Sequence, residues 1–312
     1  MENKPKLIAV LGPTASGKTS LAVELAQKYH GEVISADSMQ IYKGMSIATA
    51  KPDLTEMKGV PHHLMDFLDP EEVFSVSDYV RLANSAAHDI ISRGHLPILC
   101  GGTGLYVRSF LENVQFSDEQ KDPVLRATLN ERYHTEGGEK LIEELRSFDP
   151  ETAEKLLPSN SKRIIRAIEI YRLTGITMSE SIRRSKQKPP VYDVIAVGIT
   201  YADRQKLYDR INKRVDCMMK AGLLEEAKLF YASKIGTTAA AAIGYKELKP
   251  YLDGEKTLEE AIEHLKQETR HYAKRQLTWF RRDAYINWIE ADRVDSVYEE
   301  AIKIIERDGL RK

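Results

Sequence analysis

The sequence predicts an α/β fold, a P-loop-containing doubly wound parallel sheet with a helical insertion domain, on three observations. Leu7-Ile8-Ala9-Val10-Leu11 is a short, fully apolar run, as a parallel strand buried on both faces should be. Gly12-Pro13-Thr14-Ala15-Ser16-Gly17-Lys18-Thr19 follows directly and matches the phosphate-loop pattern GxxxxGK[ST]. Leu21, Ala22, Leu25, Ala26 and Tyr29 then recur at helical spacing, completing the strand, glycine-rich turn and helix that this pattern needs. Third, short apolar runs alternate with helical stretches through most of the chain, but strand signals vanish between Phe116 and Pro190.

After the first helix, Glu32-Val33-Ile34-Ser35-Ala36-Asp37 reads as a second strand ending in a carboxylate, and Ser38 to Pro52 as a polar loop above the sheet. His62 to Leu68 reads as a third strand; the His62-His63 pair lacks metal-like partner spacing and reads as structural or surface. Tyr79, Val80, Ala83, Ala87, Ile90 and Ile91 mark an amphipathic helix over Ser77–Ser92, stopped by Gly94. Leu96 to Cys100 is another buried strand, running into Gly101-Gly102-Thr103-Gly104 and a helix to Leu111. Ligands of such sheets sit at the strand C-terminal ends, so Asp37 and Thr103 should share a rim with the phosphate loop.

Between Phe116 and Pro190, helices are expected over Val124–Tyr133, Glu139–Phe148 and Ser161–Leu173, with Pro150, Pro158 and Gly175 as breaks. Cations cluster at Lys162-Arg163-Ile164-Ile165-Arg166 and from Arg183 to Lys188. Tyr192 to Ile199 restores a strand, helices follow over Leu207–Met219 and Leu223–Tyr231, and Ala239 to Gly244 is a small-residue segment. A long helix over Thr257–Arg281, a strand over Tyr285–Ile289 and a helix over Val294–Glu306 close the chain. The expected division is a catalytic core over residues 1–115 and 191–312, interrupted by a helical insertion over 116–190.

Lys and Arg number 46 against 47 Asp and Glu, so overall charge decides nothing about nucleic acid. Cys100 and Cys217 are the only cysteines, too few for a disulfide scaffold or a four-thiolate zinc site, and they suit a reducing compartment. Residues 1–6 lead into the first strand without a signal-peptide apolar region, and no apolar run reaches membrane-spanning length. A cytoplasmic monomer with no membrane partner is expected.

In a phosphate loop, backbone N–H groups of the turn and helix N-terminus converge on phosphate oxygens, Lys18 adds a point charge, and the Thr19 hydroxyl can reach Mg²⁺. By motif this is a nucleotide-binding, ATP-binding loop, and a kinase or ATPase is the default reading. Such enzymes normally place a Mg²⁺-holding aspartate at the end of an apolar strand. Leu96 to Cys100 ends in Cys-Gly-Gly instead, leaving Asp66 on a more polar segment as the substitute. In the second reading the loop grips the diphosphate of a non-nucleotide ligand as a leaving group, helped by Mg²⁺ and an arginine, and Asp37 accepts a proton from the attacking group. Arg210 and Arg214, i,i+4 neighbours, supply candidate arginines. Arg270 through Arg282 interleaves cations with Tyr272, Trp279 and Phe280, a combination suited to phosphate contact and base stacking on single-stranded nucleic acid; aromatic core residues under a solvated cationic face is the competing reading.

Four stretches, GPTASGKT at Gly12–Thr19, SADSMQIYKGMSIATAKP at Ser35–Pro52, GGTGLY at Gly101–Tyr106 and AKRQLTWFRR at Ala273–Arg282, together resemble the tRNA dimethylallyltransferases (tRNA isopentenyltransferases) of bacterial type. The resemblance spans nearly the whole chain. It implies transfer of a dimethylallyl group from dimethylallyl diphosphate to N6 of the adenosine 3′ to the anticodon of tRNA, with Mg²⁺ as cofactor and the anticodon stem-loop as partner. By position it implies that Gly12, Pro13, Thr14, Ala15, Ser16, Gly17, Lys18 and Thr19 hold the diphosphate, with Arg214 and its companion Arg210, and that Asp37 is the general base. It further implies tRNA contacts by Asp37, Ser38, Met39, Gln40, Thr103 and Arg126, by Lys162, Arg163, Ile164, Ile165 and Arg166, by Gly244, Tyr245 and Lys246, and by Lys274, Arg275, Gln276, Thr278, Trp279 and Arg281. The rival classes are a small-molecule or nucleoside kinase, a related enzyme prenylating free adenine nucleotides, and a nucleic-acid-binding module without catalysis.

Overall fold

A computed structural model describes residues 4–116, 122–233, 235–236 and 238–310. Its centre is β1 (Lys6–Leu11), whose residues Leu7 to Leu11 are completely buried. The alternation of a strand sends Ile8 and Val10 into one apolar cluster and Leu7, Ala9 and Leu11 into another on the opposite face. With β2 (Gly31–Ala36), β3 (His62–His63), β4 (Leu96–Gly101), β5 (Asp193–Thr200) and β6 (Ile286–Glu290) it forms a six-stranded sheet in the order β3-β2-β4-β1-β5-β6, every neighbouring pair parallel. Leu11 lies opposite both Gly101 and Gly198, and Ala36 opposite Gly101. The chain therefore leaves β1, β2 and β4 at one level, which brings the phosphate loop, Asp37 and Thr103 to the same rim.

The expected third strand shrinks to two residues, because Leu64 and Asp66 adopt positive φ angles of 60° and 56° that no strand continues through. His63 Nε2 there lies 2.7 Å from the buried Glu32 carboxylate, a structural contact within the structural-or-surface reading of that pair. α1 (Lys18–Tyr29) covers one face of the sheet. After the single turn α2 (Leu54–Met57), α3 (Val76–Ser92) and α4 (Gly104–Leu111) cover the other. α3 begins at a capping box in which the Ser75 hydroxyl accepts from Asp78 N–H and the Asp78 carboxylate accepts from Ser75 N–H.

Contacts divide the chain into two compact units, one of them continuous from Glu112 to Pro190. That unit is helical: α5 (Pro123–Glu136), α6 (Gly138–Phe148), the short α7 (Pro150–Ala153), α8 (Ser161–Thr174) and α9 (Met178–Ser185). α9 went unpredicted because its cationic run hides the pattern; Thr177 caps it, and Arg183 and Arg184 both pair with Glu180. The core is Leu129, Leu141, Leu145, Ala167 and Ile168, and it absorbs Ile164 and Ile165, at 0% and 3% exposure, which therefore cannot contact RNA as the resemblance implied. Arg126 and Arg166 are likewise engaged, both on the carboxylate of the buried Glu169. Lys162 and Arg163 remain on the exposed face of α8.

In the other unit β5 is followed by α10 (Arg204–Lys220), α11 (Leu223–Ala232), α12 (Tyr245–Leu252) and α13 (Leu258–Phe280), and β6 by α14 (Val297–Arg307). α13 starts at a Thr257–Glu260 capping box and buries Ala261, Leu265, Ala273, Gln276 and Phe280 along one face, while Lys274, Arg275, Thr278 and Arg281 are exposed.

Candidate active site

α1 begins at Lys18, and its N-cap is Gly17 in the left-handed region at φ 96°. No side chain caps this helix end and no acidic residue occupies its first turn, so its N–H groups and dipole are open to an anion. Lys18 Nζ donates to Pro13 C=O at 3.2 Å across the loop. Burial is the main influence on Lys18 and holds its pKa below the usual lysine value; Cys100 opposes the shift, Arg214 adds to it and Asp37 opposes it. Arg214, reaching in from α10, is also shifted downward by burial, against the pull of Asp37 and Glu56. Neither cation forms a direct ion pair among the described residues. Two partly desolvated cations at one helix N-terminus make a site that calls for an anion.

Both cations line one cavity of about 290 Å³ together with Thr14, Thr19 and Asp37. Asp37 is held by its own backbone turn, Oδ1 accepting from Met39 N–H at 2.9 Å and Gln40 N–H at 3.4 Å. Both bonds fall on Oδ1, which leaves Oδ2 for a substrate proton. Thr103, on the neighbouring strand exit, accepts from Ser38 N–H at 3.0 Å and so braces this turn from below. Tyr272 of α13 shares the cavity; burial, and next the charge of Asp37, hold its phenol well above the ordinary tyrosine pKa, so it stays neutral. The Cys100 thiol is pushed up to about 11 by burial and stays protonated, a packing group and not a nucleophile.

Part of the lining is apolar: Val215 and Met218 from α10, Leu223 from α11, Ile243 from the segment before α12 and Leu265 from α13. Ala48, Thr49 and Ala50 cover the cavity from the loop after Asp37. Glu226 anchors that loop from α11, its carboxylate accepting from Ser46, Ile47 and Ala48 N–H at 2.8–2.9 Å and from the Tyr245 hydroxyl at 2.8 Å. The cavity combines two cations, a carboxylate and apolar side chains, and so can hold an anion joined to an apolar group.

The structure redistributes several residues expected to act directly. Arg210 donates from Nε to Ala15 C=O at 2.9 Å on the outer side of the phosphate loop and lines a separate groove there with Tyr201 and Ser20, not the cavity of Lys18 and Arg214. Gln40 is an internal brace, its amide accepting from the Ser35 hydroxyl at 3.0 Å and donating to Thr49 and Ala50 C=O at 3.3 Å. Tyr245 is fully buried beneath Glu226, whereas Gly244 and Lys246 line the cavity. Gln276 is 4% exposed and bonded at both ends of its amide to backbone. The Trp279 ring lies against Gly104, where an added Cβ would approach Cδ1 to 2.2 Å, and Arg108 stacks over it at 5.2 Å. Its outer edge still joins Lys274, Arg275 and Thr278 in lining an exposed groove on α13. Glu226 and the apolar part of the lining escaped the sequence reading, while Tyr272, expected as an aromatic for base stacking, lines the cavity.

The profile of the IPP transferase family matches residues 40–283. The tRNA dimethylallyltransferases of Acetivibrio thermocellus and Bacillus subtilis (strain 168) are 48% and 46% identical to this chain, over 93% and 92% of it and 93% and 91% of their own lengths. Among solved structures, a tRNA isopentenylpyrophosphate transferase from Bacillus halodurans superposes with a TM-score of 0.71 at 45% identity, covering 98% of this chain and 95% of its own. A eukaryotic dimethylallyltransferase acting on tRNA superposes with a TM-score of 0.81 at 31% identity, covering 97% of this chain and 79% of its own. By these relationships the chain belongs to the IPP transferase family, that of the tRNA dimethylallyltransferases.

Proposed function

We propose that this chain transfers a dimethylallyl group from dimethylallyl diphosphate to N6 of the adenosine 3′ to the anticodon in tRNA, releasing diphosphate. The observation that carries the proposal is one cavity lined by the cations Lys18 and Arg214, the carboxylate of Asp37 and the apolar side chains Met218, Leu223, Ile243 and Leu265. The family relationship decides against the kinase reading.

Adenine N6 is a weak nucleophile because its lone pair is delocalised into the ring, so the reaction leans on departure of the diphosphate. The phosphate-loop amides, Lys18 and Arg214 stabilise the charge that grows on the leaving group. As the C1–O bond breaks and the N6–C1 bond forms, Asp37 Oδ2 takes the N6 proton, so the amine ends neutral. The apolar wall holds the allylic carbon away from water while it carries cationic character. Thr19 lines the cavity, and no cluster of three His, Cys, Asp or Glu suited to a metal occurs among the described residues. Its hydroxyl suits Mg²⁺ completed by substrate phosphate oxygens and water, which when bound would neutralise charge on the diphosphate.

The exposed cations of α13, Lys274 and Arg275, and those of α8, Lys162 and Arg163, are the proposed tRNA contacts. The target adenosine must leave its stack to reach Asp37. Among the described residues no helix is long and apolar enough to cross a membrane. The direct test incubates the protein with labelled dimethylallyl diphosphate, Mg²⁺ and either unmodified tRNA or AMP, with ATP supplied separately as a phosphoryl donor. Label in tRNA is expected. Label in AMP alone, or phosphoryl transfer from ATP, overturns the proposal. Neutralising Lys274 and Arg275 together should reduce the slope of log affinity for tRNA against log salt by about 1.5, because each phosphate contact releases counterions. An unchanged slope places those side chains outside the RNA interface.

A further inference from the structure

Gln276 joins two turns that lie far from it in the chain. Its Oε1 accepts from Thr14 N–H in the phosphate loop at 2.8 Å, and its Nε2 donates to Gly102 C=O in the turn after β4 at 3.0 Å. An amide has one acceptor end and one donor end, and reversing it would set donor against donor and acceptor against acceptor, so this pair of bonds fixes one orientation. The fit is also steric: a Cβ at residue 102 would lie 2.1 Å from Nε2, which makes Gly102 the residue that admits this side chain. At 4% exposure Gln276 has no surface to offer RNA, although it stands between Arg275 and Thr278 on the basic helix.

We propose that Gln276 is a positioning residue for the prenyl diphosphate: it sets the direction of the Thr14 amide and ties the phosphate loop to α13 and to the turn beside Asp37. Thr14 stands at the mouth of the loop and lines the cavity with Lys18 and Gln276. Without the amide, Thr14 N–H and Gly102 C=O lose their partner and the loop loses its side-chain hydrogen bond to α13, leaving the apolar cluster that Ala15 shares with Ala273. The inference rests on the proposed function for the identity of the substrate, but its own consequence is weaker diphosphate binding with RNA binding intact. A residue that touched RNA would give the reverse.

The experiment measures binding of inorganic diphosphate with Mg²⁺ by calorimetry, the KM for dimethylallyl diphosphate and kcat, and the affinity for unmodified tRNA with its salt slope. Gln276→Leu is expected to weaken diphosphate binding and raise that KM by about tenfold, from the loss of two buried hydrogen bonds, while tRNA affinity and slope stay within twofold. Gln276→Glu supplies a second reading if the leucine variant folds poorly. Its carboxylate can accept from Thr14 but meets the Gly102 carbonyl as a second acceptor; protonated, it donates there. Diphosphate affinity of Gln276→Glu relative to wild type at each pH should therefore recover as pH falls. The charged or titratable groups sharing its cavity are Lys18, Arg214, Lys246, Asp37, Tyr272, Arg275 and Cys100, and the wild-type reference cancels their contribution. Unchanged diphosphate affinity in both variants, or a loss of tRNA affinity with diphosphate binding intact, overturns the inference. Diphosphate binding is read without an acceptor, so a failure of the tRNA assay in the wild type would strike the proposed function and leave this result standing.

Discussion

Asp37→Ala is expected to lower single-turnover prenyl transfer by at least about 10²-fold while changing tRNA affinity by less than about threefold. The size follows from what the carboxylate does. N6 acquires positive charge as it attacks, and without an acceptor at hydrogen-bond distance that proton must pass to water in a cavity shaped to exclude water. Asp37 also organises its own turn, since Oδ1 holds the Met39 and Gln40 amides. Asp37→Asn separates the two roles: its amide oxygen can keep the turn while its basicity is gone. Equal losses in the alanine and asparagine variants assign the effect to proton transfer. A near-normal rate with asparagine would reduce Asp37 to a scaffold residue, and near-normal turnover with alanine would remove it from the mechanism.

Lys18→Ala should act on two quantities at once, weakening diphosphate binding and slowing its departure, with a combined loss in kcat/KM of about 10²–10³-fold. Lys18 is a half-buried cation at the open end of α1, so its charge is only partly shielded from an anion in the cavity. Burial also gives the interaction a pH signature. The pKa of Lys18 in the free protein lies below 10.5, and only the ammonium form attracts diphosphate. Affinity is then complete below that depressed pKa and falls as pH rises through it, and Lys18→Ala should lack this alkaline limb. Calorimetric titration of diphosphate across pH 7–10 reads both effects. An identical profile in wild type and variant would place the anion elsewhere.

How far the molecule could be read from its sequence depended on the range of the interactions involved. The phosphate loop, Asp37 and the central strands are local patterns: an apolar run, a turn that needs glycine, a carboxylate at a strand end. The cavity wall is assembled from α10, α11 and α13, whose apolar residues look in sequence like any helix packing face. Glu226 reaches amides of Ser46 to Ala48 and Gln276 reaches Thr14 across 262 residues, so no spacing rule connects the partners. Arg210 and Arg214 differ by one helical turn, and because α10 passes beside the phosphate loop that turn carries one arginine outside it and the other into the cavity. The shortened β3 has the same lesson at small scale, since backbone torsions at Leu64 and Asp66 end a strand that composition alone would extend.

The placement of β1 between β4 and β5 has a consequence for how the protein is made. The phosphate loop leaves the ribosome well before residues 193–198, which pair with one flank of β1, and Gln276 follows later still. Only β4 can pair with β1 early, so for most of translation the anion site has one side wall and no tether. A nascent chain cut short before α13 would carry the whole GxxxxGK[ST] signature and an unfinished grip.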